Sequence, residues 1–173
     1  MRVSIVGSGY VGTTVAACLA DAGHEVYCID IDEAVVDALN DGRSPIHEPD
    51  LEPLIAENSG TRLWARSTYD VVPETELTIL ALPTPNESDG RLDLRAMKAG
   101  VESVGESLRE KDGYHLVVVK STVLPGTTEN ELGPVLESVS GKADGEEIAF
   151  AVNPEFLREG SAVGDFTDPD KIV

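Results

Sequence analysis

The sequence is poor in cysteine, in aromatic residues and in positive charge, and it contains no long apolar run. Its two cysteines, Cys18 and Cys28, fall in a periodic helical stretch and an apolar strand-like stretch, so neither belongs to a disulfide framework or a metal site. Both read as small buried hydrophobes. No stretch approaches the roughly 18 consecutive apolar residues that a membrane span needs, and the N-terminus enters a structured pattern with no signal-peptide architecture. A soluble cytoplasmic chain is expected. Lysine and arginine number 13 against 32 aspartates and glutamates, a formal charge of −19. Such a field opposes binding to nucleic acid or to an anionic membrane. The three histidines, His24, His47 and His115, have no partner at metal-ligand spacing and read as surface or hydrogen-bonded residues, and Trp64 reads as core.

The acids are scattered over helix faces and loops and are not gathered in a tail, while the apolar segments stay intact. This resembles a surface adapted to high salt, with an acidic surface of an ordinary cytoplasm as the alternative.

What is present is an alternation of short apolar runs with amphipathic stretches. "RVSIVG" (2–7), "EVYCID" (25–30), "RLWA" near 62–65, "ELTILAL" (76–82), "YHLVVVKS" (114–121) and "EIAFAVN" (147–153) read as strands. Helices are expected over 10–23, 32–42, the stretch "DLEPLIAENSG", the stretch from Leu92 to Glu110 with Asp93 as a cap, and "GTTENELGPVLESVSG". Strand and helix in alternation at these lengths predict an α/β fold with a doubly wound, mainly parallel sheet of six or more strands, covered by helices on both faces. Ile172 and Val173 look like the start of another strand.

Gly7, Gly9 and Gly12 form G-x-G-x-x-G directly after the first strand and at the opening of the first helix. The first glycine suits a tight turn, the second lets backbone approach a pyrophosphate, and the third permits close packing of helix on strand. Free N–H groups at that helix start favour an anion. Asp30 closes the second strand 18 residues after Gly12, where its carboxylate can take the ribose hydroxyls and would repel a 2′-phosphate. NAD is therefore expected in preference to NADP on a Rossmann-type fold. Asp32 is better placed to cap the next helix.

Ligands of open parallel sheets collect beyond the carboxyl ends of the strands. After the fourth strand, "LPTPN" holds Thr84 between two prolines. After the fifth, Lys120, Ser121 and Thr122 reach the same edge, with Thr122 able to hold a water or simply to open the next helix. After the sixth comes "NPEFLREGSAVGDF" (153–166), where Glu155 and Glu159 are four apart and would share a face if the segment were helical, with Arg158 beside Glu159. A carboxyl there could serve acid/base chemistry or merely cap a solvated turn.

Together "GSGYVG", "GRSPIHEPDLEPL", "LPTP", "KSTVLPGT" and "NPEFLREGSA", in this order along essentially the whole chain, resemble the nucleotide-sugar 6-dehydrogenases, the UDP-glucose and GDP-mannose dehydrogenase group. The resemblance implies oxidation of a sugar C6 alcohol to the carboxylate with two NAD, through an aldehyde and an enzyme thioester. It implies that Gly7, Gly9, Tyr10, Val11 and Gly12 hold the pyrophosphate and Asp30 the ribose, with Thr84 and Thr122 along the cofactor. It also gives Thr122, Glu155 and Glu159 catalytic roles around a water and the thioester, and assigns Glu155, Phe156, Leu157 and Arg158 to the nucleotide-sugar site. UDP-glucose is the favoured substrate.

The family's nucleophilic cysteine belongs to a "GGxCxPKD"-like motif that this sequence lacks. Residues 1–173 are thus expected to be an NAD domain that precedes a central helical and a second nucleotide-binding domain, inactive alone, in a protein that forms a homodimer or larger homo-oligomer. Two other readings stay open: a β-hydroxyacid or 6-phosphogluconate type dehydrogenase, and a non-catalytic module that senses NAD. The surface charge generates one expectation of its own: the melting temperature rises from low to molar salt, and a flat dependence would remove the salt-adapted reading.

Overall fold

A computed structural model describes all of residues 1–173. The strands are β1 (Arg2–Val6), β2 (Glu25–Ile29), β3 (Leu63–Arg66), β4 (Leu77–Leu80), β5 (His115–Val119) and β6 (Ile148–Val152). The α-helices are α1 (Tyr10–Asp21), α2 (Glu33–Asn40), α3 (Leu51–Asn58), α4 (Arg95–Leu108), α5 (Gly133–Ser140) and α6 (Ala162–Thr167). All five strand pairings are parallel, in the order β3-β2-β1-β4-β5-β6. The chain winds outward from β1 to β3, returns to β4 on the other side of β1, and winds outward again, so the order reverses between β1 and β4. A crevice opens at such a reversal because the connections on either side leave toward opposite faces.

Register lines up the strand ends. Val6 pairs with both Ile29 and Leu80, Leu80 pairs with Val119, and Val119 with Val152. The loops that follow β1, β2, β4, β5 and β6 therefore leave the sheet side by side.

Alternation along each strand feeds two cores. Val3, Ile5, Val26, Cys28 and Ile79 pack on α1 and α3, while Val6, Ile29, Leu80, Val117 and Val119 pack on α4 and α5. Ala16, Ala17 and Ala20 of α1 are fully buried, and such small side chains let this helix lie close to the sheet. Trp64 is half-buried and stacks on Tyr27, its register partner on β2, at 5.1 Å between ring centres. Both cysteines are free and buried.

Several expected elements differ in detail. Asp93 accepts the Arg95 N–H at 3.0 Å and pairs with its guanidinium, but α4 begins only at Arg95, because Leu92 bridges back to Asn86. The helix expected from Gly126 opens as a π turn over Thr128–Leu132 before α5. Ile172 and Val173 are exposed and form no strand.

One polar chain runs through the second core. Ser4 Oγ and Thr78 Oγ1 lie 2.7 Å apart, Thr78 Oγ1 lies 2.8 Å from His115 Nε2, and Ser4 Oγ reaches Thr75 Oγ1 at 3.1 Å. His115 is fully buried, with its Nδ1 3.0 Å from the Thr75 carbonyl oxygen and 3.1 Å from Lys111 Nζ. Burial and the nearby Lys111 cation push its pKa down to about 4. The unfolded chain takes up this proton near pH 6.5 and the folded chain only near 4, so the stability due to neutral His115 is complete above about 6.5 and is lost as pH falls toward 4. Denaturant titrations are expected to show a loss of at most about 3 kcal/mol across this window from His115, absent in His115→Gln.

Candidate functional site

The glycine turn is dictated by contacts that no side chain could share. Gly7 has φ +94°, and a Cβ on it would lie 2.6 Å from the Ala81 carbonyl oxygen. A Cβ on Gly12 would lie 1.8 Å from the Gly7 carbonyl oxygen. Gly9 differs: its added Cβ would meet nothing within 4 Å, and it caps α1 without a side chain. The first-turn N–H groups of α1 thus point into open space with no side-chain acceptor, which is a site for an anionic oxygen.

Asp30 follows β2 at the other side of the crevice. Its Oδ2 accepts the Ser8 N–H at 2.6 Å and its Oδ1 accepts the Asp32 N–H at 3.0 Å, so the carboxylate is oriented by backbone alone. Asp32 caps α2 as expected, accepting from the Ala34 N–H. Beside Asp30, Ile31 is 90% exposed on the wall of the same cleft. This apolar residue between two aspartates was a signal in the sequence that its hydropathy pattern alone could not resolve.

The cleft has a volume of about 580 Å³ and runs from Asp30 and the glycine turn past Leu82 and Thr84 to Lys120, Thr122 and Glu155. The loops after β4 and β5 are tied together. Thr84 Oγ1 donates to the Thr122 carbonyl oxygen at 2.8 Å, and Ser121 Oγ to the Leu82 carbonyl oxygen at 2.6 Å. The Thr84 hydroxyl is therefore spent within the protein, while the Thr122 side chain remains exposed on the wall.

At the far end stands a buried ion pair. Lys120 is 5% exposed; its Nζ donates to Asn153 Oδ1 at 3.0 Å and lies 2.7 Å from Glu155 Oε2. Glu155 Oε1 accepts the N–H groups of Phe156 and Leu157 at 2.6 and 2.8 Å. Its Oε2 is buried, and its contact with Lys120 is ionic without the direction of a hydrogen bond, so this oxygen keeps acceptor capacity.

Lys120 and Glu155 also line a second cavity of about 620 Å³, which extends over Phe156, Leu157 and Arg158 toward the chain end. The segment between β6 and α6 is not helical, so Glu155 and Glu159 share no helix face. Pro154 supplies no N–H, and the Glu155 carboxylate occupies the next two amides. Arg158 does not accompany Glu159; it clasps Asp165 at 2.5 Å, which holds that carboxyl well below the usual range. Glu159 is exposed and lines neither cavity. Phe156 is half exposed, with Lys171 Nζ 4.3 Å above its ring.

Sequence reasoning passed over Glu48 in "PIHEPD". Only 6% exposed, it accepts from Tyr10 Oη at 2.5 Å, from Gly160 N at 2.8 Å and from Ala162 N at 2.8 Å. Tyr10 and the two backbone N–H groups hold its carboxyl below the ordinary range. Burial, then this carboxylate, pushes the Tyr10 hydroxyl up to about 12. Nothing local marks Glu48, since two of its three partners are more than 100 residues away.

Residues 1–173 match the UDP-glucose/GDP-mannose dehydrogenase family, NAD binding domain. The chain belongs to this family. It is 56% identical over its whole length to the UDP-glucose 6-dehydrogenase AglM of Haloferax volcanii, and 45% identical to the GDP-mannose 6-dehydrogenase of Azotobacter vinelandii. Among solved structures, a ternary complex of GDP-mannose dehydrogenase from Pseudomonas aeruginosa superposes on 99% of the chain with a TM-score of 0.97 at 40% identity. A UDP-glucose dehydrogenase from Pyrobaculum islandicum covers the same share at 0.92 and 42%. The chain spans about 40% of the length of these relatives. Family membership makes NAD the cofactor of this domain and sets aside the β-hydroxyacid and 6-phosphogluconate type. No helix is long and apolar enough to cross a membrane.

Proposed function

We propose that residues 1–173 are the NAD domain of a nucleotide-sugar 6-dehydrogenase, with a UDP-sugar, UDP-glucose foremost, as substrate. The observation that carries this reading is the meeting of two cavities at the Lys120–Glu155 pair. One cavity has the chemistry of a dinucleotide site, and the other is polar and faces the segment 153–172. The 56% identity to a UDP-glucose 6-dehydrogenase favours uridine over guanosine.

In this reading the pyrophosphate lies on the first-turn amides of α1, beside Gly7, Gly9, Val11 and Gly12, with Tyr10 on the wall. Asp30 takes the ribose hydroxyls and Ile31 gives the adenine an apolar face. Leu82, Thr84 and Thr122 line the path toward Glu155. Bound NAD supplies the hydride acceptor for oxidation of the C6 alcohol, two equivalents for each sugar. Glu155 is the residue here best placed to hold a proton or orient a water, because its Oε2 is buried 2.7 Å from Lys120 Nζ and is still able to accept. Phe156, Leu157 and Arg158 present the wall of the sugar cavity. Glu159 stands on the rim, and its role requires that segment to meet the sugar from outside the cleft.

A thioester route needs a thiolate. Burial pushes Cys18 up to about 11 and Cys28 up to about 12, and neither lines the cleft. The nucleophile of the proposed reaction is therefore a cysteine outside residues 1–173, in a protein with further domains and a homo-oligomeric assembly.

Asp30→Ala is expected to weaken NAD about 10- to 100-fold, the loss of hydrogen bonds to a charged acceptor, and to narrow the preference over NADP. Calorimetric titration of both dinucleotides checks this, and an unchanged NAD affinity removes Asp30 from the site. The polypeptide that carries this domain together with the family cysteine is expected to form two NADH per UDP-glucose and an acid product. One NADH would indicate simple alcohol oxidation, and none with NAD still bound would indicate a sensing module.

A further inference from the structure

Glu48 joins three parts of the chain that the topology otherwise leaves separate. Tyr10 belongs to the glycine turn and lines the dinucleotide cleft, Glu48 sits in the loop between α2 and α3, and Gly160 and Ala162 end the segment that carries Glu155 to Arg158. We infer that Glu48 is a positioning residue that couples occupancy of the dinucleotide cleft to the order of the segment 155–162, through the Tyr10 hydroxyl. The inference rests on the reading of the cleft as the NAD site.

The geometry makes the coupling specific. Glu48 Oε2 accepts from both the Tyr10 hydroxyl and the Gly160 N–H, so the two donors share one oxygen, while Oε1 accepts from Ala162. Gly160 has φ +90°, a conformation that favours glycine, and its amide has no other acceptor in the protein. The segment has little else to hold it. Phe156 and Leu157 amides return to their own neighbour Glu155, Arg158 pairs with Asp165 seven residues on, and Ser161 bonds the Arg158 carbonyl oxygen and Asp165, all within the segment and α6. Apart from the Lys120–Glu155 pair, Glu48 is its polar tie to the cofactor side.

Tyr10 is half-buried, and its ring lies on the cleft wall. A dinucleotide in the cleft would cover that ring and exclude water from the Tyr10–Glu48 contact. A hydrogen bond to a carboxylate strengthens as the local dielectric falls. A carboxylate held in place by that contact keeps both of its oxygens where the Gly160 and Ala162 N–H groups meet them, and so orders the sugar-side segment. Linkage makes the effect reciprocal: an ordered segment tightens the dinucleotide by the same factor.

Hydrogen exchange on the chain with and without NAD tests this, with binding measured in parallel by calorimetry. In the wild type NAD is expected to slow exchange at the Phe156, Leu157 and Arg158 amides by about 5-fold or more, although none of them touches Glu48 or the cleft helix. Tyr10→Phe keeps the ring, the backbone and both backbone bonds of Glu48, and is expected to bind NAD more weakly while showing less than about a twofold slowing at those amides. Glu48→Gln, which sets an amide donor against one of the backbone donors, is expected to speed exchange at Gly160 and Ala162 even without NAD. A residue with a merely structural role would give this last effect alone. If NAD slows the three amides equally in wild type and Tyr10→Phe, or binds the wild type without slowing them, the coupling is wrong while the cofactor site stands. If NAD does not bind the wild type, the reading of the cleft falls and the coupling falls with it.

Discussion

The arrangement depends on how closely the first turn of α1 approaches the ends of β1 and β4. With the Gly12 Cβ position 1.8 Å from the Gly7 carbonyl oxygen, and that of Gly7 2.6 Å from the Ala81 carbonyl oxygen, the turn exists only because Gly7 and Gly12 bring no side chain to the place where three backbone segments meet. This contact aims the start of α1 at the crevice where the strand order reverses. The in-register ends of the strands then bring Asp30, Thr84, Thr122 and Glu155 to the same opening. Loosening the contact would move the helix dipole and the cleft wall together, because the small residues of α1 leave it no other way to seat on the sheet.

Charge at the opening is arranged with equal economy. In a chain of net charge −19, the cleft contains one cation, Lys120, and it is buried against Glu155 and Asn153. A buried ion pair contributes little net stability, since desolvation offsets its attraction. Its worth here is positional. It fixes a carboxylate between two cavities with one oxygen committed to backbone amides and the other free to accept. Asp30 at the opposite end has no cation beside it in the cleft wall.

Legibility in the sequence followed the range of the interactions. The six strands of the sheet, the glycine turn, the Asp32 cap and the strand-end loops rest on neighbours within a few residues or on period, and they appeared where expected, while Ile172 and Val173 open no further strand. Whether Glu155 and Glu159 share a helix face was left open by their spacing; the segment is not helical, because Pro154 removes a donor and the Glu155 carboxylate takes its own following amides. Arg158 found Asp165 in place of Glu159 because the chain turns at Glu159 and Gly160 and brings the first turn of α6 back beside Arg158. His115, read as either a surface or a hydrogen-bonded residue, is the buried one, and its place in a chain of hydroxyls from Ser4 to Thr78 needed the sheet to be assembled.

The sequence by itself determined the parallel α/β architecture, the glycine turn after β1 and the resemblance that the family match bears out. These are properties of local pattern, spacing and backbone sterics, which do not wait for the chain to close. Only the tertiary structure decided that Glu48 holds Tyr10 and Gly160 on one oxygen, that Lys120 faces Glu155, and that Glu159 is exposed and lines neither cavity. Those pairings join residues 35 to 112 positions apart or depend on what their neighbours bond, and a carboxylate in a loop carries no mark of a partner that folding alone delivers.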